Sequence, residues 1–186
     1  MTTIRRRLLF GFLLTAVLGA AGVEATIGQT PTQTPRLRIL VIHGPNLNLL
    51  GRREPQIYGT TTLDQINGYL ADLAKEINVE LITLQSNHEG AIVDALQAHM
   101  DDVDGALINA AGLSFSSVSI HDAIKAEPFP VIEVHISNLG TRDEIHQHSI
   151  LTPAVRGTVM GLGWRSYTAA LRGVVEIVRE TKALKK

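Results

Sequence analysis

Apolar positions along this chain follow two alternating rhythms. Short continuous runs at Leu37–Ile42, Val79–Leu84, Gly105–Asn109, Pro130–Val134 and Val155–Met160 have the length and composition of strands buried in a sheet. Between them, apolar residues recur at helical spacing. Residues 63, 66, 70, 73 and 77 share one face of a helix over Thr62–Ile77, and Thr62 with Gln65 three positions on forms a capping box that fixes its start. Ser86 with Glu89 offers a second capping box, ahead of a helix with Ile92, Leu96 and Met100 on one side. A short third helix covers Val118–Ala126. A last one runs from Trp164 to near Thr181, aligning positions 164, 167, 171, 174 and 178.

Strands alternating with helices imply a parallel sheet covered on both faces. Right-handed crossovers leave few topologies, and five strands suit the flavodoxin-like order. The expected architecture is therefore α/β, a three-layer sandwich around a five-stranded parallel sheet. Ligands of such sheets bind beyond the carboxyl ends of the strands, which directs attention to residues 43–59, 85–89, 109–117, 135–148 and 161–164. The first of these is long. No helix pattern starts before Thr62, whereas α/β connections usually take 2–6 residues. It also carries Asn46, Asn48, Arg52, Arg53, Glu54 and Tyr58, so it reads as an active-site loop.

At the fourth strand, Glu133, His135 and Ser137 project to one face. A central parallel strand should be apolar on both faces, so three polar residues at its exit point to chemistry. A carboxylate two residues from a histidine can orient and charge the imidazole, as a general acid requires. The competing reading is an edge strand with solvated polar groups. Tyr58 near Arg53 is a second pair: tyrosine is ordinarily a poor base at neutrality, and a neighbouring guanidinium favours its phenolate. Taken alone, the pair more often describes a surface tyrosine packed on an arginine. The small residues Asn109–Gly112, followed by Ser114, Phe115, Ser116 and Ser117, let backbone amides approach a ligand ahead of a helix N-terminus; an ordinary serine-capped turn is the alternative. His43 closes the first strand and reads as a support behind the site, while His88 and His99 read as solvated. His146 and His148 could join His135 and Glu133 around zinc, although their spacing is not diagnostic.

Composition narrows the field. The 186 residues fit one domain, 45 % hydrophobic content suffices for its core, and a formal net charge of −1 gives no reason to expect nucleic acid or an anionic membrane surface. The absence of cysteine excludes disulfides and thiolate chemistry. No Gly-x-Gly-x-x-Gly follows the first strand and no phosphate loop occurs, which argues against dinucleotide or nucleoside triphosphate use. The N-terminus differs from the rest: Arg5–Arg7, an apolar run Leu8–Leu18 and small residues over Gly19–Ala25 follow the order of a secretory signal peptide. Arg5-Arg6-Arg7-Leu8-Leu9 partly fits a twin-arginine signal. Cleavage after Ala25 or Ala21 would release an exported, periplasmic protein with no stable membrane association. The competing reading, an uncleaved anchor, conflicts with a run shorter than the ~20 residues a spanning helix needs. The expected organisation is a signal peptide at 1–25, a linker at 26–36 and a catalytic domain at 37–186.

The motifs GPNLNLLGRREPQIYG at 44–59, INAAG at 108–112, SV and HDA at 117–123, EVHISN at 133–138, and the later HS and GLG together resemble type II 3-dehydroquinate dehydratase, over roughly residues 37–180. That resemblance implies a flavodoxin-like fold, no cofactor or metal, and a homo-oligomer, a dodecamer built from trimers. It implies elimination of water from a small-molecule substrate, 3-dehydroquinate, to give 3-dehydroshikimate through an enolate. Carried over, Tyr58 is the base, Arg53 keeps it ionised and helps close the lid, and Asn46 holds water or the enolate oxygen. His135, oriented by Glu133, is the acid. Asn109 and the backbone at Ile136 and Ser137, with the Ser137 hydroxyl, bind the substrate carboxylate, and Asp122 reaches a neighbouring subunit's site. Three positions depart from the family pattern: Phe115 replaces a histidine, and His121 and His146 each replace an arginine. A substrate hydroxyl facing Phe115 would forgo a hydrogen bond worth about 0.5–1.5 kcal/mol. Two alternatives follow, a dehydratase for a related cyclic hydroxy acid and a ligand-binding module without turnover. Export suits breakdown of quinate outside the cytoplasm better than aromatic biosynthesis.

Overall fold

The computed structural model describes residues 36–185. The signal peptide expected at 1–25 and the linker, up to its last residue, lie outside the described residues. Five strands, β1 (Leu37–His43), β2 (Val79–Gln85), β3 (Gly105–Asn109), β4 (Val131–His135) and β5 (Gly157–Met160), form one sheet in the order β2-β1-β3-β4-β5. Every pairing is parallel. This is the flavodoxin-like order expected from the alternation. β4 lies between β3 and β5, which removes the edge-strand reading of Glu133 and His135.

Successive strand residues feed two separate cores. Ile39, Val41, Leu107, Ile132 and Val134 pack with helix α2 (Leu63–Glu76) and helix α5 (Arg165–Leu184). Leu40, Ile42, Ala106, Ile108 and Val131 pack with α3 (Glu89–Ala98) and α4 (Val118–Ala126) on the other side. Because both faces are dry, the central strands read as continuous apolar runs. Gly105 lets α5 close on β3: a Cβ there would stand 2.9 Å from Val174 Cγ2.

The Thr62–Gln65 capping box forms, with the Gln65 amide 3.2 Å from Thr62 Oγ1 and the Gln65 side chain accepting the Thr62 amide at 2.9 Å. The second expected box does not. Ser86 Oγ accepts the His88 amide instead, and the Glu89 carboxylate takes the hydroxyl of Ser117, the residue that caps α4 through the Ile120 amide. A distant donor thus wins Glu89 from its local partner. Other differences are at boundaries. Met100 falls past the end of α3, β5 begins at Gly157 after a turn closed at Leu151, and α5 continues to Leu184. The stretch after β1 is not wholly irregular, since a 3-10 turn at Leu47–Leu49 and a short helix α1 (Pro55–Tyr58) interrupt it. Among the described residues, no helix is long and apolar enough to cross a membrane.

Candidate active site

The carboxyl ends of β1, β3 and β4 are drawn together by register. His43 is paired with Asn109, and Ile108 with Glu133. Gly44 makes the tightest approach: a Cβ there would lie 2.6 Å from the carbonyl of Ala110, so only glycine lets the chain leave β1 beside the exit of β3. Above these ends lies a cavity of about 200 Å³. Asn46, Arg53, Tyr58, Asn109, Phe115 and His135 line it, together with Ile136, Ser137, Arg142 and His146. Nearly every residue expected at the site therefore faces one space.

The β4 side is rigid and fully paired. Glu133 is completely buried, and its carboxylate accepts from His135 Nε2 at 2.9 Å, Ser149 Oγ at 2.5 Å, Thr152 Oγ1 at 2.9 Å and Thr158 Oγ1 at 3.4 Å. Burial alone would raise its pKa, but the bonds from His135, Ser149 and Thr152 and the attraction of the imidazole outweigh it and hold the carboxyl below the ordinary range. An ionised carboxylate only accepts, so Nε2 of His135 carries its hydrogen and Nδ1 is left for the cavity.

Across the cavity, Tyr58 ends α1. Its hydroxyl oxygen accepts from Arg142 Nη1 at 3.2 Å, and the same nitrogen donates to Ser137 Oγ at 3.2 Å. Arg53, the expected partner of the phenol, instead lies over the ring at 5.1 Å from its centroid, with its guanidinium on Glu54 at 2.9 Å. Arg142 thus holds the oxygen where Arg53 was expected to hold it. It sits within residues 135–148 but was not singled out; its spacing from His135 is set by a loop, which has no periodicity to read. The loop that carries Tyr58 is strained, with Asn46 at φ 66° and Glu54 at φ 40°, left-handed values that disfavour side chains.

The far wall is aromatic. Phe115 stacks at 6.3 Å on His135 and meets His146 edge-on at 5.1 Å. His146 Nδ1 is taken up by the Asp143 carboxylate at 2.8 Å, a bond that, more than burial opposes it, holds that carboxyl below its ordinary range. Asn109 is buried, its Oδ1 accepting the Ala111 amide at 3.2 Å. Among the described residues neither the Ile136 nor the Ser137 amide meets a backbone acceptor, and both residues line the cavity.

Other expected residues lie elsewhere. Asp122 is exposed, pairs with His121 Nδ1 at 2.9 Å and does not line this cavity. His148 lines a different groove beside β5, so it is not brought to His135 and His146. His99 is paired with Asp102 at 2.8 Å rather than simply solvated. His43 lies behind the cavity, as its position at the strand end suggested, sealed among Tyr167 and Asn67.

Residues 37–175 match the family described as Dehydroquinase class II. The 3-dehydroquinate dehydratase of Bordetella pertussis (strain Tohama I) is 54 % identical over 136 residues, spanning 73 % of this chain and 94 % of that protein. The 3-dehydroquinate dehydratase of Roseiflexus castenholzii is 48 % identical over 135 residues, spanning 73 % and 86 %. The crystal structure of type II dehydroquinase from Butyrivibrio crossotus aligns with a TM-score of 0.73 at 38 % identity, covering 75 % of this chain and 97 % of that one.

Proposed function

The chain belongs to the class II dehydroquinases, and from that premise we propose that it removes water from 3-dehydroquinate to give 3-dehydroshikimate through an enolate. Tyr58, as phenolate, takes the proton from the carbon next to the ketone, and that C–H pair passes into the enolate. The enolate re-forms the carbonyl as the adjacent C–O bond breaks. His135 gives its proton to the departing hydroxyl, which leaves as water. Arg142 stabilises the phenolate through its bond to the oxygen, and Arg53 lies along the ring. Asn46 holds the enolate oxygen or a water beside it. Glu133 keeps the imidazole aimed. The Ile136 and Ser137 amides, the Ser137 hydroxyl and Asn109 take the substrate carboxylate.

The observation that carries this reading is that a tyrosine oxygen under a guanidinium and a carboxylate-backed imidazole line one cavity. Purified protein given dehydroquinate should produce the conjugated-enone absorbance of the product, and Tyr58→Phe should reduce the rate by about 10²–10⁴-fold, the range for a positioned acid or base. Undiminished turnover in that variant defeats the assignment. Tight binding of dehydroquinate by wild type with no product would favour a binding module.

Phe115 and the Asp143-bound His146 favour a second reading, in which the preferred substrate is a related cyclic acid with fewer hydroxyls on the far side. Comparing analogues that lack one ring hydroxyl separates the two, and a clear preference for dehydroquinate retires the second. The exposed Asp122 fits a role at a neighbouring subunit in a dodecamer of trimers, which sedimentation of wild type and Asp122→Ala would test. Export to the periplasm, for breakdown of quinate, rests on residues 1–25 and is tested by cell fractionation.

A further inference from the structure

Behind the cavity runs a row of neutral polar groups whose donors and acceptors can be assigned one by one. The assignment starts at the Ala111 backbone amide, which can only donate. The side-chain atom of Asn109 that it meets at 3.2 Å is therefore the carbonyl oxygen, and the other is the NH₂. That nitrogen lies 3.0 Å from Tyr167 Oη, so the phenol oxygen accepts. Its own hydrogen then goes to His43 Nδ1, 3.0 Å away. His43 must carry its hydrogen on Nε2, which meets Asn67 Oδ1 at 2.9 Å. The row crosses from β3 to α5, back to β1 and out to α2, and every bond runs in one direction.

We propose that Tyr167, backed by His43 and Asn67, is a positioning residue that fixes Asn109 so that its second N–H, rather than its carbonyl, is offered to an oxygen of the bound substrate. The inference rests on the dehydratase reading for what fills the cavity, but the direction of the row does not. Tyr167 and His43 are both fully buried, and no substrate could reach them. Without Tyr167, the Ala111 amide alone would hold the Asn109 carbonyl, and a turned side chain would set that carbonyl against a substrate carboxylate.

The row also keeps its direction over the working pH range. Burial pushes His43 down to about 4, against the bond to Asn67, and pushes the Tyr167 phenol above the ordinary tyrosine range. The groups bonded to His43 are Tyr167 from α5 and Asn67 from α2, both neutral. A protonated His43 would donate from Nδ1 as well. Tyr167 Oη would then face two donors, and its hydrogen would lose its acceptor unless Asn109 turned its carbonyl toward it.

Two measurements test this. Neutron diffraction from deuterated crystals near neutral pH should show deuterium on His43 Nε2 and none on Nδ1, with the Asn109 ND₂ group toward Tyr167. Deuterium on Nδ1 overturns the proposal. In kinetics, Tyr167→Phe should raise KM for dehydroquinate about tenfold while kcat stays within about threefold, as loss of one oriented hydrogen bond predicts. In an Asn109→Ala background the same change should raise KM no further. A rise that persists there, or one matched by an equal fall in kcat, marks a merely structural tyrosine. Should Tyr167→Phe fail to fold, Asn67→Asp on the outer side of the row serves instead. Its carboxylate favours a proton on His43, so KM relative to wild type should climb as pH falls from about 8 to 6; a flat ratio overturns the proposal. Wild type that does not turn over dehydroquinate defeats the functional reading, and the neutron maps then judge the row alone.

Discussion

The two sides of the cavity are built differently. The β4 side is buried and saturated, with four donors on Glu133 and His135 only 5 % exposed. The Tyr58 side sits on a loop whose helix α1 buries no residue, entered through a left-handed Glu54, and the tyrosine oxygen has a single contact, from Arg142. His135 is therefore held by the sheet, while Tyr58 is carried on a short helix that buries none of its residues. The contrast suits the proposed elimination, whose acid needs a fixed direction and whose base must reach a carbon atom. Arg142 spans the gap, bonded at once to Tyr58 on the loop and to Ser137 after β4.

The harshest way to break this contrast is Glu133→Ala. It strips the acceptor from His135, Ser149 and Thr152 inside the fold, and removing one partner of a buried pair commonly costs about 3–5 kcal/mol. Chemical denaturation should show a loss of that size, and activity should vanish with the oriented imidazole. A loss below about 1 kcal/mol would mean that the β4 side is no more rigid than the loop.

The sheet side should also be the one that acid loosens. His43 takes up a proton near 6.5 in an unfolded chain but only at about 4 in the fold. The unfolded state thus binds more protons between those values, and stability, complete above about pH 6.5, falls as pH drops toward 4. The full span corresponds to about 3 kcal/mol. Glu133, held below its ordinary range, adds a further loss that begins only as pH falls below about 4.5. Urea midpoints measured from pH 7 to 4 should trace the first window. His43→Gln, which can still accept from Tyr167 and donate to Asn67, should flatten it. An unchanged slope in that variant would place the acid sensitivity elsewhere.

What could be read from the chain follows the same division. The strands were legible because a parallel sheet dry on both faces leaves continuous apolar runs, and Glu133 and His135 stood out as polar residues of period two in such a run. Thr62–Gln65 was legible because both partners lie within one turn. Glu89 was not, since its carboxylate is claimed by Ser117 from another helix. Arg53 and Arg142 are chemically alike, and only the path of two loops decides which reaches the Tyr58 oxygen. Tyr167 lies on the apolar stripe of α5, where a phenol in a polar row looks the same as a core aromatic.

Arg142→Ala sharpens the contrast at the bridge. A hydrogen bond to a charged group contributes about 1.5–3 kcal/mol, so kcat should fall about 10–150-fold if the guanidinium stabilises the phenolate. Stability should change little, because Arg142 makes its contacts at the cavity rim. Arg142→Lys keeps the charge, but its ammonium sits on a flexible stem and is not held by a planar group where Nη1 meets both Tyr58 and Ser137, so it should recover only part of the rate. Full recovery would show that a point charge suffices and that the bridge has no geometric role.

The smallest effect tests whether the loop opens independently of the sheet. Glu54 adopts φ 40°, ψ 59° at the start of α1, a conformation that aspartate tolerates better than glutamate. Glu54→Asp keeps the carboxylate while easing that strain, by about 0.5 kcal/mol. If the loop opens locally, the gain belongs to the loop alone. Exchange of the Tyr58 and Gly59 amides, which bond back to Glu54 and Pro55, should slow about twofold, the same energy expressed as a rate. Amides of β4, whose opening requires the sheet to come apart, should keep their rates. If both regions slow equally, loop and sheet open as one unit, and Tyr58 approaches its substrate without a moving lid.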